Sequence, residues 1–507
     1  MLAASFIVAH KREAIMESTR KVQATGALSA AIASAVVVRV GLFFDGTGNN
    51  RVNSRIGADC RAMAEVNEYE HIIECRGCRD NPLSSYASAL SNIARLFELY
   101  PDRPKAIAQA GQLNVYWPVY ISGVGTTSKG SDSLWPGQSF GRGSTGVVAK
   151  AEQAIRKIGR CLDAFRTHNP DCCIVRLELD LFGFSRGAAS ARHFANEVLK
   201  RDKGGLDPLF NRYASAFSED FAWGDDAVQL KVIGLFDTVA AVAGLLDMGN
   251  VRDSTNSQVN LYLPPGCAQQ VLHLVARDEQ RRNFALNSIN PQWPREILLP
   301  GVHSDIGGGY HPQIREKVLV TRPRRCVVSC GTPKESTSAW IQAQADLQAL
   351  DAGHWLDPED SLASLQVECA EEETTRLRGR CSLGLKSVVA ACCLRRQVFG
   401  HLALVSLRVM HALACDEGVP FAPIGGQHEL QLLPELFDIN AKLIRYARGA
   451  DYELDAREER MLRHRYIHRS AHWHSLIGRS GRLGHMWFVH APQPGGRIRH
   501  PNRLQPG

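Results

Sequence analysis

The sequence has no apolar run both long and clean enough to read as a membrane span. Gly26 to Phe44 comes nearest, but it is Ala/Ser-rich and broken by Arg39. It also leads straight into Asp45-Gly46-Thr47-Gly48-Asn49-Asn50. A cleaved signal peptide is not expected, because about two dozen residues of mixed charge precede that run. A second apolar patch, around Leu402 to Leu407, is fenced by Arg395, Arg396 and Arg408. Cysteine forms no regular framework among its 14 residues, which excludes a disulfide scaffold. Cys172-Cys173 and Cys392-Cys393 sit in apolar runs and read as small buried hydrophobes. Cys75 and Cys78 form a lone CxxC, and Cys326 and Cys330 a lone Cx3C. A structural zinc needs four ligands, and nothing pairs these two at a familiar spacing. Reduced thiols, in a chain made in a cytosol, are the expectation.

Lysine is missing from Ala456–Gly507, where 10 Arg stand against 2 Glu for a local charge of +8. The other 455 residues carry −1 of the overall +7, so the body is neutral and the tail basic. Such a tail either meets an acidic surface, such as anionic lipid, or pairs with the acidic stretch Glu371–Glu373. What remains is ordinary: 507 residues, 44% hydrophobic and 22% charged, which excludes disorder and collagen-like structure. The length allows two or three domains, or one enlarged by insertions.

The first third alternates strand and helix signals. Val36 to Phe44 is a β-branched and aromatic run that ends in Asp-Gly, as a buried parallel strand does. Ser84 to Tyr100 carries helical spacing, and Leu113 to Val124 reads as a strand followed by a long Gly/Ser-rich loop over 125–146. Ala149 to Thr167 reads as a helix, Cys172 to Phe184 and Lys231 to Asp237 as strands, and Ile297 to Val302 as a short one. Alternation of this kind implies a mostly parallel sheet with helices on both faces. Beyond Tyr310 the pattern loses regularity. Residues 312–335 read as loop, Trp340 to Gly353 and Ala390 to Leu413 as helices. The expected division is an N-terminal extension over 1–35, an α/β catalytic domain over 36–311 and a mainly helical region over 312–507, serving as a domain or a cap.

Gly183-Phe184-Ser185-Arg186-Gly187 is a G-x-S-x-G set between a hydrophobic strand and an Ala-rich helical stretch. In a nucleophile elbow the small flanking residues permit a sharp, strained turn that lifts the serine hydroxyl above the sheet edge. Ser185 is then the nucleophile, and the N–H of Arg186, at the helix start, an oxyanion donor. Such a serine needs a base and an orienter, in the chain order Ser, Asp, His. Asp237 ends the strand of Gly-Leu-Phe-Asp, at the edge where α/β sheets bind ligands. Asp180 lies inside a strand and Asp247 further into a helical run, so both rank lower. His303, in a loop freed by Gly307, Gly308 and Gly309, is the candidate base, with Asp305 as an alternative orienter on the same loop. The loop after the first strand offers the N–H groups of Gly46 and Thr47 as second oxyanion donors. A phosphatase D-x-D-G-T reading fails because Phe43 occupies the nucleophile's place, and a P-loop fails for want of Gly-Lys-Ser/Thr.

Leu-Phe-Phe-Asp-Gly-Thr-Gly-Asn-Asn (42–50), Tyr-Ile-Ser-Gly-Val-Gly-Thr (120–126), the serine elbow, Gly-Leu-Phe-Asp-Thr-Val-Ala (234–240) and Gly-Val-His-Ser-Asp-Ile-Gly-Gly-Gly-Tyr (301–310) occur in that order. Together they resemble the first family of type VI secretion lipase effectors, over about 40–310 and more weakly beyond. The resemblance implies an α/β hydrolase-like fold and phospholipase A activity, A1 or A2, through Ser185, Asp237 and His303, with no metal or other cofactor. It also implies a bacterial protein made in the cytoplasm and exported without a signal peptide. Its partners would be the secretion spike, an immunity protein in the producer, and the phospholipids of a rival's membrane, met in the periplasm. Nucleic acid is not an expected partner. A serine esterase or acyl transferase of soluble esters, and an inactive lipid-binding module, are the alternatives. His464, His468 and His472 stand at i, i+4 spacing without a nearby carboxylate, so lipid-facing charge explains that segment better than a metal.

Overall fold

The computed structural model describes residues 34–64, 85–129, 132, 146–224, 227–240, 259–374, 384–474, 488 and 490–504. Residues 1–33, Cys75, Cys78, most of the Gly/Ser loop, Asp247, Arg479 and Arg482 lie outside them. The first eight strands are β1 (Ser34–Phe44), β2 (Arg103–Gln109), β3 (Gln112–Ile121), β4 (Cys172–Phe184), β5 (Val228–Phe236), β6 (Gln270–Ala276), β7 (Leu286–Asn287) and β8 (Glu296–Leu299). Seven of them form one sheet in the order β2-β3-β1-β4-β5-β6-β8, parallel throughout except for β2 at its edge. The chain runs from β1 to β3 on one side and returns to β4 on the other. That reversal opens a crevice at the carboxyl ends of β1 and β4, where an α/β sheet presents its site.

Burial explains the strand sequences. Both faces of the sheet are covered, so β1 and β4 read as nearly continuous apolar runs rather than alternating ones. Helices Val147–His168 and Arg186–Leu199 pack on one face, in a cluster with Leu42, Leu181, Ile233 and Phe194. The other face, with Phe43, Phe182 and Phe236, is covered by helix Asn92–Leu99 and by helix Leu402–Asp416 from the far end of the chain. The latter helix is apolar nearly all round because helix Phe437–Ala447 covers its back. No helix among the described residues is long and apolar enough to cross a membrane. Arg39, the break in the apolar run, reaches Asp180 of the adjacent strand at 2.8 and 3.0 Å, and Tyr100 adds its hydroxyl at 2.9 Å. Asp180 is thus a partnered charge inside the sheet rather than a site residue.

The expectation of a mainly helical C-terminal region is corrected over 313–399. Strands β9 (Gln313–Leu319), β10 (Arg324–Ser329), β11 (Ser364–Thr374) and β12 (Leu385–Phe399) form a second, antiparallel sheet. Helix Ser338–Ala349 packs on it through Ala339 and Ala343 against Val388 and Ala390. The helix read over Ala390 to Leu413 is two elements, β12 and then helix Leu402–Asp416. A short apolar run fits a buried strand and a buried helix equally well, so periodicity could not place the break. Gly400 makes it, since a Cβ there would lie 2.4 Å from the His311 carbonyl oxygen. The last strand, β13 (Arg499–His500), pairs in parallel with β7.

Candidate active site

Three loops meet at the carboxyl ends of β1, β4 and β5. Ser185 is the first residue after β4, at φ 56° and ψ −125°, a left-handed conformation worth about 1–3 kcal/mol of strain in a residue with a Cβ. It persists because its surroundings over-determine it. The Ser185 N–H donates to the Phe236 carbonyl at 3.0 Å, and its own carbonyl accepts from Ala189 in the helix that begins at Arg186. The two motif glycines are steric necessities. A Cβ on Gly183 would meet the Ala188 backbone at 2.6 Å, and one on Gly187 the Asp45 carbonyl oxygen at 2.3 Å. The helix start is thereby pressed against the end of β1.

Asp237 is the first residue after β5, and the register pairs Phe184 with Phe236, so serine and aspartate leave neighbouring strands at the same level. Asp237 is fully buried, and its Oδ2 receives His303 Nδ1 at 2.5 Å. His303 opens the short helix His303–Gly307, after Val302. Its ring lies between Phe184, at 4.6 Å, and Phe284, edge-on at 4.7 Å. Gly307 makes room for that packing, because a Cβ there would fall 2.0 Å from the Phe184 ring. The His303 N–H is held by Glu279 Oε2 at 3.2 Å, and Glu279 is itself paired with Arg281 at 2.8 Å. Burial depresses the His303 imidazole below its ordinary value, against the raising effect of Asp237. For Asp237 burial acts upward, but the charge of Arg497 and the bond from His303 outweigh it and hold the carboxyl well below its usual range. Glu279 follows the same balance under Arg281, down to about 2. The site therefore rests as a neutral imidazole beside an ionised carboxylate.

Asp305, the alternative orienter, is turned elsewhere. Its Oδ2 accepts from the Val302 N–H at 3.0 Å and its Oδ1 meets His468 Nδ1 at 2.6 Å, beneath the ring of Tyr310. It ties the His303 turn to the C-terminal segment. Asp305→Asn should accordingly lower the melting temperature while leaving kcat within about tenfold of the parent, since the substitution leaves the reacting groups untouched. A larger loss of kcat with an unchanged melting curve would return Asp305 to the chemistry.

The loop after β1 lies against the elbow, but one assignment there is corrected. The Gly46 N–H donates to the Asp45 carboxylate at 2.7 Å and is therefore already engaged, which leaves Thr47 and Arg186 as the N–H candidates. Asp45 is buried and also receives the Tyr120 hydroxyl at 2.5 Å. Burial raises its carboxyl, opposed by hydrogen bonds from Ser91, Tyr120 and Gly46. The Thr47 hydroxyl oxygen is buried without a hydrogen-bond partner among the described residues. The lipid-facing reading of the histidine run is corrected as well: the helix Ala456–Arg465 ends before His468, and His464 and His468 are buried, bonded to the Gly353 carbonyl and to Asp305 respectively. Cys326 and Cys330 are free thiols.

Among solved structures, the Tle1 effector bound to the VgrG spike from the type 6 secretion system matches 92% of this chain and 94% of its own, with 32% sequence identity and a TM-score of 0.69. The chain belongs to the Tle1 family of type VI secretion phospholipase effectors. A model of that family's catalytic domain, described as "T6SS, Phospholipase effector Tle1-like, catalytic domain", matches residues 211–329, a span that includes Asp237 and His303. An uncharacterized protein from Pseudomonas aeruginosa aligns at 17% identity over 87% of this chain and 54% of its own, with a TM-score of 0.33, too slight a likeness to inform the fold. No curated protein matches the chain. As a Tle1-like effector this chain is an ester-hydrolysing secreted protein.

Sequence reasoning missed Arg497, Glu279 and His468 in the site's surroundings. Arg497 belongs to the basic tail that the sequence sends either to an acidic surface or to Glu371–Glu373, and instead its guanidinium is buried against Asp237. Of the other tail arginines, Arg499 is half exposed and stands 4.0 Å from Glu296. The pairing once expected with Glu371–Glu373 is not what Glu371 makes, since it bonds Lys386 on β12. No local pattern distinguishes these roles.

Proposed function

We propose that the chain is a phospholipase A of the α/β hydrolase kind, with Ser185 as nucleophile, His303 as base and Asp237 as orienter. The observation that carries this is the 2.5 Å contact of His303 Nδ1 with buried Asp237, one strand away from a serine held at positive φ. Ser185 Oγ attacks the acyl carbonyl carbon while its proton passes to His303 Nε2. The oxyanion accepts hydrogen bonds from the N–H groups of Arg186 and Thr47, and the Thr47 hydroxyl is a third candidate donor. Collapse expels the lysophospholipid oxygen, which takes the proton back from His303. Water, deprotonated by the same imidazole, then releases the fatty acid. The family supports a lipid ester over a soluble one, and an effector that meets the spike, an immunity protein and a rival's periplasmic membrane leaflets.

Purified protein should release one fatty acid and one lysophospholipid per turnover from mixed phospholipid vesicles, and the position cleaved would be read by mass spectrometry. Turnover of short-chain esters with intact vesicles would favour the soluble-ester reading. Thr47→Val exchanges only the hydroxyl for a methyl and should lower kcat about 10²-fold with little change in KM, the usual effect of one oxyanion donor. An unchanged kcat would confine Thr47 to its backbone N–H.

A further inference from the structure

Asp237 is oriented from two sides. Beyond His303, its Oδ1 receives Arg497 Nη1 at 2.7 Å and the Ala276 N–H at 3.0 Å, and its Oδ2 receives Arg497 Nη2 at 2.8 Å. The guanidinium fork is itself held, because Nε donates to the Phe284 carbonyl at 2.7 Å, and the side chain is 7% exposed. The segment that delivers it is fastened on both sides. Gln493 N–H bonds the Gln280 carbonyl and Leu286 N–H the Ile498 carbonyl, and β13 follows at once. Asn502 then bonds the Leu263 backbone in both directions and receives Arg192. So elaborate an anchorage fixes one side chain beside one carboxylate.

The electrostatic consequence is specific. A triad aspartate favours the imidazolium that forms when histidine takes the serine proton. A bidentate arginine offsets most of that charge in a site with little water to screen it. The other charged groups around His303 are Glu279, which holds its N–H, and Arg281, stacked 3.3 Å over Phe284. These two are paired with each other and largely cancel. The His490 ring stands 6.5 Å from that of Phe284. Glu296, near Arg497, is engaged with His273 and Ser288. Arg497 is therefore the cation that balances Asp237.

We propose that Arg497 is a positioning residue of the catalytic centre, brought in by the C-terminal strap to lock the Asp237 carboxylate and keep His303 neutral and ready to accept a proton. This rests on the assignment of Ser185, Asp237 and His303 as the reacting groups. Without Arg497 the buried carboxylate has only His303 to balance it, and the imidazole would hold its proton to higher pH. The sign is thus fixed: the acidic limb of kcat/KM must move up.

The test is the pH profile of kcat/KM in the full-length chain, on a soluble short-chain ester and on phospholipid vesicles, for Arg497→Met and Arg497→Lys beside Ser185→Ala. Arg497→Met should shift the acidic limb upward by at least about one pH unit, a tenfold loss below the limb that is largely recovered at high pH. Arg497→Lys, with one ammonium in place of the fork, should shift it less. A uniform loss at every pH, with the limb unmoved, would reduce Arg497 to a structural tie and overturn the proposal. Should Arg497→Met fail to fold, the lysine variant decides by the same limb. Full turnover in Ser185→Ala would instead strike at the triad itself, so the two failures are distinguishable.

Discussion

Ser185→Ala should fold as the parent does and lose acyl hydrolysis by roughly 10⁶-fold in kcat, on both vesicles and soluble esters. The size follows from the chemistry: without Oγ no acyl-enzyme forms, and what remains is binding and the oxyanion donors acting on water. Stability should hold or rise slightly, because Ser185 makes its described bonds through the backbone, and alanine bears the same φ 56° strain. Paired melting curves and single-turnover assays check both halves. A variant with more than a hundredth of parental turnover would remove Ser185 from the nucleophile's role.

Asp237→Asn should cost about 10⁴-fold in kcat near neutral pH, the order seen when a triad aspartate loses its charge and the histidine its tautomer. Here a second penalty is expected. The amide leaves Arg497 buried with half its partner, and breaking a buried ion pair by removing one charge costs about 3–5 kcal/mol. Asp237→Asn should thus melt well below Ser185→Ala, which leaves the pair intact. Adding Arg497→Met should recover much of that stability and none of the activity, because it deletes the orphaned cation without restoring the base. A melting temperature equal to the parent's in Asp237→Asn would mean that the Arg497 contact contributes little to the fold.

Much of the catalytic half was legible because its signals are local. The run Val36–Phe44, the strand before Gly183 and the strand before Asp237 are apolar on both faces for a reason that shows in the sequence, burial under two helical layers. The elbow is legible for the same reason: a residue at φ 56° beside a helix start needs small neighbours, and Gly183 and Gly187 are those neighbours. Strand β6 was missed, although Gln270–Ala276 is apolar enough and Pro264-Pro265-Gly266 marks a turn before it. The second sheet was missed because β9 and β10 bunch their charges, Arg315-Glu316-Lys317 and Arg324-Arg325, instead of alternating them with apolar residues, which resembles loop composition.

What the sequence determined by itself was the parallel sheet, the serine turn and the candidates for the reacting side chains. Each depends on periodicity or turn chemistry within about a dozen residues. Only the tertiary structure decided which carboxylate faces His303, that the Gly46 N–H is already engaged, and that the far-C-terminal helix Leu402–Asp416 closes the sheet's second face. It alone placed Arg497 on Asp237, 260 positions away along the chain. An arginine in a solvated tail and one balancing a buried carboxylate have the same local sequence. Their difference is the loss of water around the pair, and that is a property of packing.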